Sequence, residues 1–203
     1  GEVQEQGALH HGLEALDGID PVAFNFIGFV DDNFASKQDA KGRRKVENRN
    51  LLREYPDALV LAVPGRPESL PKRKEYIDGL GISAERFATV IHPSAMIGRD
   101  VKMGINSLIM AGVVITSNAQ IGDHVCILPN TVIHHDASIG AYTLIGSSVV
   151  VAGGTSIGIN SYIGSGSNLI NGIQIGDFSL VGMGSNVICS FPSRSRIAGN
   201  PAK

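Results

Sequence analysis

The stretch TVIHHDASIGAYTLIGSSVVVAGGTSIG, residues 131–158, places Ile133, Ile139, Ile145, Val151 and Ile157 six apart without a slip. Followed outward, the same register takes in Ile91, Ile97, Met103, Ile109, Ile115, Ile121 and Ile127 on one side. On the other it takes in Ile163, Leu169, Ile175, Val181 and Val187, seventeen positions in all. If large aliphatics fill roughly a third of positions, chance produces such a run on the order of once in 10^8. Four residues after each aliphatic stands a small or β-branched residue, as at Val113, Ala119, Val125, Thr131 and Ala137, so each hexad sends one large and one small side chain inward. The residue just after the aliphatic is Gly at 98, 104, 122, 140, 146, 158, 164, 176 and 182, which puts a corner there, since glycine lacks the Cβ that resists corner conformations. A hexad is then a short flat strand plus a corner. Three corners close a triangular coil, and coils stacked ~4.8 Å apart make a prism on the order of 27 Å tall.

The bulk composition narrows the rest. At 203 residues, 43% hydrophobic and 18% charged, the chain is globular rather than disordered, with room for one domain or two small ones. A formal net charge of -2 offers no electrostatic case for nucleic acid or a membrane surface. The two cysteines, Cys126 and Cys189, lack CxxC spacing, and neither a signal-peptide core nor an apolar run of membrane-spanning length is found. The expectation is a cytoplasmic protein with free thiols and no membrane insertion.

Ahead of the repeat the pattern changes. Residues 3–19 carry apolar side chains every three to four positions, a helical spacing. FNFIGFV (24–30) reads as a strand running into Asp31 and Asp32, and ALVLAV (58–63) as a second strand stopped by Pro64 and Gly65. Short helices are expected over 47–53 and 68–80, and FATVI (87–91) reads as a strand leading into the repeat. Alternating strands and helices imply a small parallel sheet. Such sheets collect ligands at the carboxyl ends of their strands, which makes Asp31, Asp32 and Pro64 candidate contacts, although an aspartate pair also simply starts a turn. GALHHG (7–12) is more helix than phosphate cradle, so the expectation is a small Rossmann-like α/β domain over 1–88, either incomplete or with its first strand absent from this sequence, followed by the repeat domain over 89–203.

The hexad pattern resembles the left-handed parallel β-helix of bacterial hexapeptide-repeat acyltransferases, a fold that also serves carbonic-anhydrase-like zinc proteins. An acyltransferase needs a base to take a proton from the acceptor, and histidine is poised for that near neutral pH. His92 and His124 are expected at the surface. His134 and His135 fall at the corner of the hexad IHHDAS (133–138), and one coil further on from His135 lies Gly153, with Gly154 beside it. Bare backbone there leaves room for a thin ligand such as a pantetheine arm and offers an N–H to a thioester oxyanion. Asp136 follows His135 and is placed to orient its imidazole.

NTVIHHDASIG (130–140), the preceding FIGFVDDN, the linker IHPSA and the closing IAGNPAK together look like the sialic-acid O-acetyltransferase and nucleotide-amino-sugar N-acetyltransferase family, over nearly the whole chain. The resemblance implies His135 as general base with Asp136 as its partner. It implies a nucleotide-sugar substrate held by Asp31 and Asp32, and acetyl-CoA running along a groove between subunits of a homotrimer. By position the acetyl-CoA contacts are Leu144, Gly153, Ser165 and Met183, with Leu144 standing where some members have histidine. The expected reaction is acetylation of an amino group on a nucleotide-linked sugar. Acetylation of a sugar hydroxyl is the alternative, because the same histidine serves both. A zinc hydrase would need three clustered imidazoles, and His124 and His134 are ten apart rather than at the customary His-x4-His spacing, so no metal is expected. A non-catalytic scaffold would tolerate loss of His135.

Overall fold

The computed structural model describes residues 27–30, 37–38, 45–47, 49–63 and 72–203. From Val90 on, the backbone winds as a parallel β-solenoid of two-residue strands on three faces. The first face stacks seven strands: Val90–Ile91, Leu108–Ile109, Cys126–Ile127, Leu144–Ile145, Tyr162–Ile163, Leu180–Val181 and Arg196–Ile197. The second stacks six, from Met96–Ile97 through Val132–Ile133 to Asn186–Val187, and the third five, from Lys102–Met103 through Ser138–Ile139 to Gln174–Ile175. Each strand pairs in parallel with the strand one coil away, as Ile127 does with Ile145. In every solenoid strand up to Asn186–Val187 the second residue is the aliphatic of the register. From Ile109 to Val187 these side chains are 0–4% exposed, whereas Ile91 (42%) and Ile97 (39%) sit in the first coil, paired on one side only.

The small inward position does a second job. At Thr131 and Thr143 the buried hydroxyl donates to a carbonyl of the next coil and accepts an N–H from it. Thr131 Oγ1 donates to Gly146 O (2.7 Å) and accepts from Val149 N (3.2 Å), and Thr143 repeats this with Gly158 O (2.9 Å) and Ser161 N (3.1 Å). A buried hydroxyl left unpaired would be costly, so the polar half of the core is tolerated because its hydroxyls are hydrogen-bonded.

The corners are not where glycine suggested. The left-handed residue lies three after the aliphatic: Asp100, Asn118 and Asp136 between the second and third faces, and Asn106, His124, Tyr142, Asn160 and Phe178 between the third and first. Asn130 and Ser148, with Gly112, Gly166 and Gly184, take the same place between the first and second faces. The glycines just after the aliphatic have ordinary φ. They are glycine because coils approach closely: a Cβ on Gly122 would lie 2.7 Å from Ala141 N, and one on Gly146 2.5 Å from Ser165 N. The last coil is two residues short, since Val181 pairs with Ile197 and Ile175 with Phe191, sixteen residues on instead of eighteen.

Before the solenoid, β1 (Phe29–Val30), β2 (Lys37–Gln38) and β3 (Lys45–Glu47) form a sheet in the order β1-β3-β2, parallel between β1 and β3 and antiparallel between β3 and β2. Glu47, expected to open a helix, therefore ends a strand, and the helix α1 spans Leu51–Glu54. A second helix, α2, spans Arg73–Asp78 within the expected one. The expected strand over 58–63 contributes only one bridge, Val60 with Phe87, because Ala62 turns both its backbone groups to a side chain: its N–H donates to Asn106 Oδ1 (2.7 Å) and its carbonyl accepts from Asn106 Nδ2 (2.9 Å). Among the described residues the first part of the chain is thus a small mixed sheet, not a fully parallel one. The segment carrying Leu61 and Val63 docks on the outside of the first face, where these two pack with Val90 against buried Leu108, Met110, Cys126 and Leu144. The expected helix over 3–19 and the GALHHG segment lie outside the described residues. Among the described residues no helix is long and apolar enough to cross a membrane.

Candidate active site at the edge between the second and third faces

The strand Val132–Ile133 buries Ile133 completely and ends at the edge. His134 N–H still donates to Val151 O (2.9 Å), and then the chain leaves the ladder. His135 projects its ring outward with 63% of the side chain exposed, while its carbonyl accepts from Gly154 N–H (2.9 Å). Asp136 turns the corner at φ 58 and swings its carboxylate back, so that Oδ2 lies 2.7 Å from His135 Nδ1. An ionised carboxylate only accepts, so Nδ1 carries the proton and Nε2 presents a lone pair. The hydrogen bond from His135, and after it one from Asn118, holds the Asp136 carboxyl below the usual carboxylate range. The pair thus has the charge pattern of a base with its orienting anion.

Gly153 lies under the imidazole. A Cβ there would come within 2.8 Å of both His135 Cε1 and Nε2. The sequence count that set Gly153 beside His135 holds, but the space its missing Cβ leaves is filled by the imidazole itself, not open for a pantetheine arm. Its N–H donates to nothing among the described residues.

The other expected contacts are scattered. Leu144, expected to touch acetyl-CoA, is 4% exposed beneath the docked N-terminal segment, packed with Leu108, Met110 and Cys126. Ser165 and Met183 stack one coil apart on the edge between the first and second faces, Met183 74% exposed and Ser165 Oγ accepting from Ser147 N–H (3.1 Å). Within one chain they share no edge with His135. Asp31, Asp32 and Pro64 lie outside the described residues.

Two residues escaped the sequence reading. Asn118, one coil before Asp136, donates from Nδ2 to Asp136 Oδ1 (3.1 Å); the same 18-residue count that found Gly153 would have found it. His124, expected at the surface, is 7% exposed. It stacks on Tyr142 (4.6 Å between centroids), meets Phe87 edge-on, and faces Asn106 Nδ2 at 2.9 Å through Nδ1. Arg73, fully buried in α2, donates to its carbonyl (2.9 Å), and Tyr142 Oη donates to Asp78 (3.0 Å). Burial holds the His124 imidazole below its ordinary range. This cluster fastens the N-terminal segment to the edge between the third and first faces, away from His135.

The bacterial transferase hexapeptide family (six repeats) matches residues 118–153, which span His135 and Gly153. No curated protein matches the sequence. Solved structures are similar over nearly the whole chain. PerB from Caulobacter crescentus, solved in complex with CoA and GDP-perosamine, is 28% identical with a TM-score of 0.82, covering 97% of this chain and 93% of that one. A histidine-to-alanine mutant of the GDP-perosamine N-acetyl transferase from the same organism gives 27% and 0.83 with the same coverage. The acetyltransferase domain of PglB from Neisseria gonorrhoeae, in complex with acetyl coenzyme A, shares the fold at 24% identity and a TM-score of 0.78, covering 97% of this chain and 95% of that one.

Proposed function

We propose, from the premise that this chain belongs to the hexapeptide-repeat acyltransferases, that it transfers the acetyl group of acetyl-CoA to the amino group of a nucleotide-linked amino sugar. The observation that carries the reading is the His135–Asp136 pair lying over Gly153, in a chain whose fold is similar over 97% of its length to a protein crystallised with CoA and GDP-perosamine. His135 Nε2 takes a proton from the attacking amine while Asp136 holds the opposite nitrogen. The amine nitrogen bonds to the thioester carbonyl carbon, negative charge gathers on the carbonyl oxygen within reach of the Gly153 N–H, and the C–S bond breaks as the thiolate leaves and takes the proton from the His135 imidazolium, giving the amide and CoA. Residues 1–88 form the acceptor-holding domain, with Asp31, Asp32 and Pro64 as its contacts, and 89–203 the catalytic prism, left-handed by the same likeness.

A homotrimer supplies the second wall. The N-terminal segment covers the first face, so the edge bearing His135 is the one opposite it. The third face is polar outside, with Lys102, Gln120 and Gln174, whereas the second presents Met96 (68% exposed) and half-buried Val114, Val132 and Val150. Packing second faces around a threefold axis brings the His135 edge of one copy to the Ser165–Met183 edge of the next, where acetyl-CoA would run, and within reach of the neighbour's acceptor domain.

The test is turnover of acetyl-CoA with GDP-, UDP- and dTDP-linked amino sugars. One of them is expected to give an amide and stoichiometric CoA, with His135→Ala lowering the rate about 10^2- to 10^4-fold. CoA release with hydroxyl acceptors alone would overturn the amine reading in favour of O-acetylation.

A further inference from the structure

Asp136 is exposed over 56% of its side chain, and an exposed ion pair holds its own geometry poorly. Something else must stop the carboxylate from turning. Its two oxygens are engaged separately, Oδ2 by His135 Nδ1 at 2.7 Å and Oδ1 by Asn118 Nδ2 at 3.1 Å, which fixes the plane of the carboxylate. Asn118 is itself rigidly placed. It is the left-handed corner residue of the coil before (φ 63), and its N–H is tied to Arg99 O at 3.0 Å.

The surroundings show what Asn118 works against. A solvent-open hollow of about 230 Å³ beside the pair is lined by Asp100, Lys102, Asn118, Gln120 and Asp136. A carboxylate released from Asn118 would turn toward that hollow, where the Lys102 ammonium is a competing partner. Residue type matters too: asparagine tolerates positive φ and donates, whereas aspartate would set a second carboxylate against the first.

We propose that Asn118 is a positioning residue for the acyl transfer: by anchoring Asp136 Oδ1 it reserves Oδ2 for His135 Nδ1–H and so keeps Nε2 as the free base. This rests on the function proposed above. Asn118 touches no reacting atom and acts through Asp136.

Asn118→Gly removes the amide while keeping a backbone that accepts φ 63. The expected result is a kcat about tenfold lower, KM for both substrates within about twofold, and an unchanged oligomer and thermal midpoint. In an Asp136→Gly background, which keeps a backbone that accepts φ 58 but has no oxygen for Asn118 to hold, the same change should alter kcat less than about twofold. In ¹⁵N-histidine NMR the wild-type His135 ring should be the Nδ1–H tautomer and the Asn118→Gly ring a mixture. An unchanged kcat, an additive effect in the Asp136→Gly background, or an unshifted tautomer would each overturn the proposal. If His135→Ala retained full activity, the function itself would fall, and the tautomer measurement would still decide what Asn118 holds.

Discussion

Gly153→Ala should disable this protein without unfolding it. The added methyl would sit 2.8 Å from His135 Cε1 and Nε2 and 3.3 Å from Cδ2. Ordinary carbon contacts are ~3.5–4.0 Å, so the ring must retreat by roughly 0.7–1.2 Å. That motion pulls Nδ1 off the 2.7 Å bond to Asp136 or swings Nε2 away from the Gly153 N–H. A misplacement of about 1 Å costs on the order of 100-fold in rate, or ~2.7 kcal/mol in the barrier. The backbone should not object, because Gly153 has no left-handed φ and only a side chain stands in the way. The assay follows loss of thioester absorbance with saturating amino-sugar nucleotide, beside a thermal melt. The expected outcome is kcat down about 100-fold with a thermal midpoint close to wild type. Gly146→Ala is the contrast, since its methyl would meet the Ser165 backbone nitrogen at 2.5 Å, and it should lower the melt by several degrees. A Gly153→Ala enzyme with kcat within threefold of wild type would refute the idea that the missing Cβ is there for the imidazole.

Three further outcomes follow from the junction and the thiols. Asn106→Ala strips partners from both backbone groups of Ala62 and from His124 Nδ1, and puts alanine at φ 52, so chemical denaturation should show a loss of about 2–4 kcal/mol. Because burial holds His124 below its ordinary value of 6.5, the unfolded chain takes up the proton first as pH falls; stability should drop below about pH 6.5, and His124→Asn should flatten the slope between pH 7 and 5.5. With Cys126 fully buried and its thiol pushed up to about 11, a thiol reagent at pH 8 should titrate one group per native chain, exposed Cys189, and two after denaturation.

The sixfold aliphatic register determined the solenoid from sequence alone, because every coil repeats the same local contacts and each aliphatic needs only its neighbours one coil away. The same count set Gly153 beside His135, and adjacency in sequence was enough to pair His135 with Asp136. What the period does not encode is which residue within a hexad turns the corner. Glycine marked the close approach of coils, while the left-handed φ fell two positions later on Asp, Asn, His and Tyr more often than on Gly. Nor does it encode which face the N-terminal segment covers. That docking buried His124 and Leu144, residues whose hexad positions look no different from exposed ones, and it left the His135 edge on the far side of the prism. Local periodicity repeats on all three faces alike, and only a long-range contact, Ala62 with Asn106 and α2 with His124, breaks that symmetry and tells one edge from another.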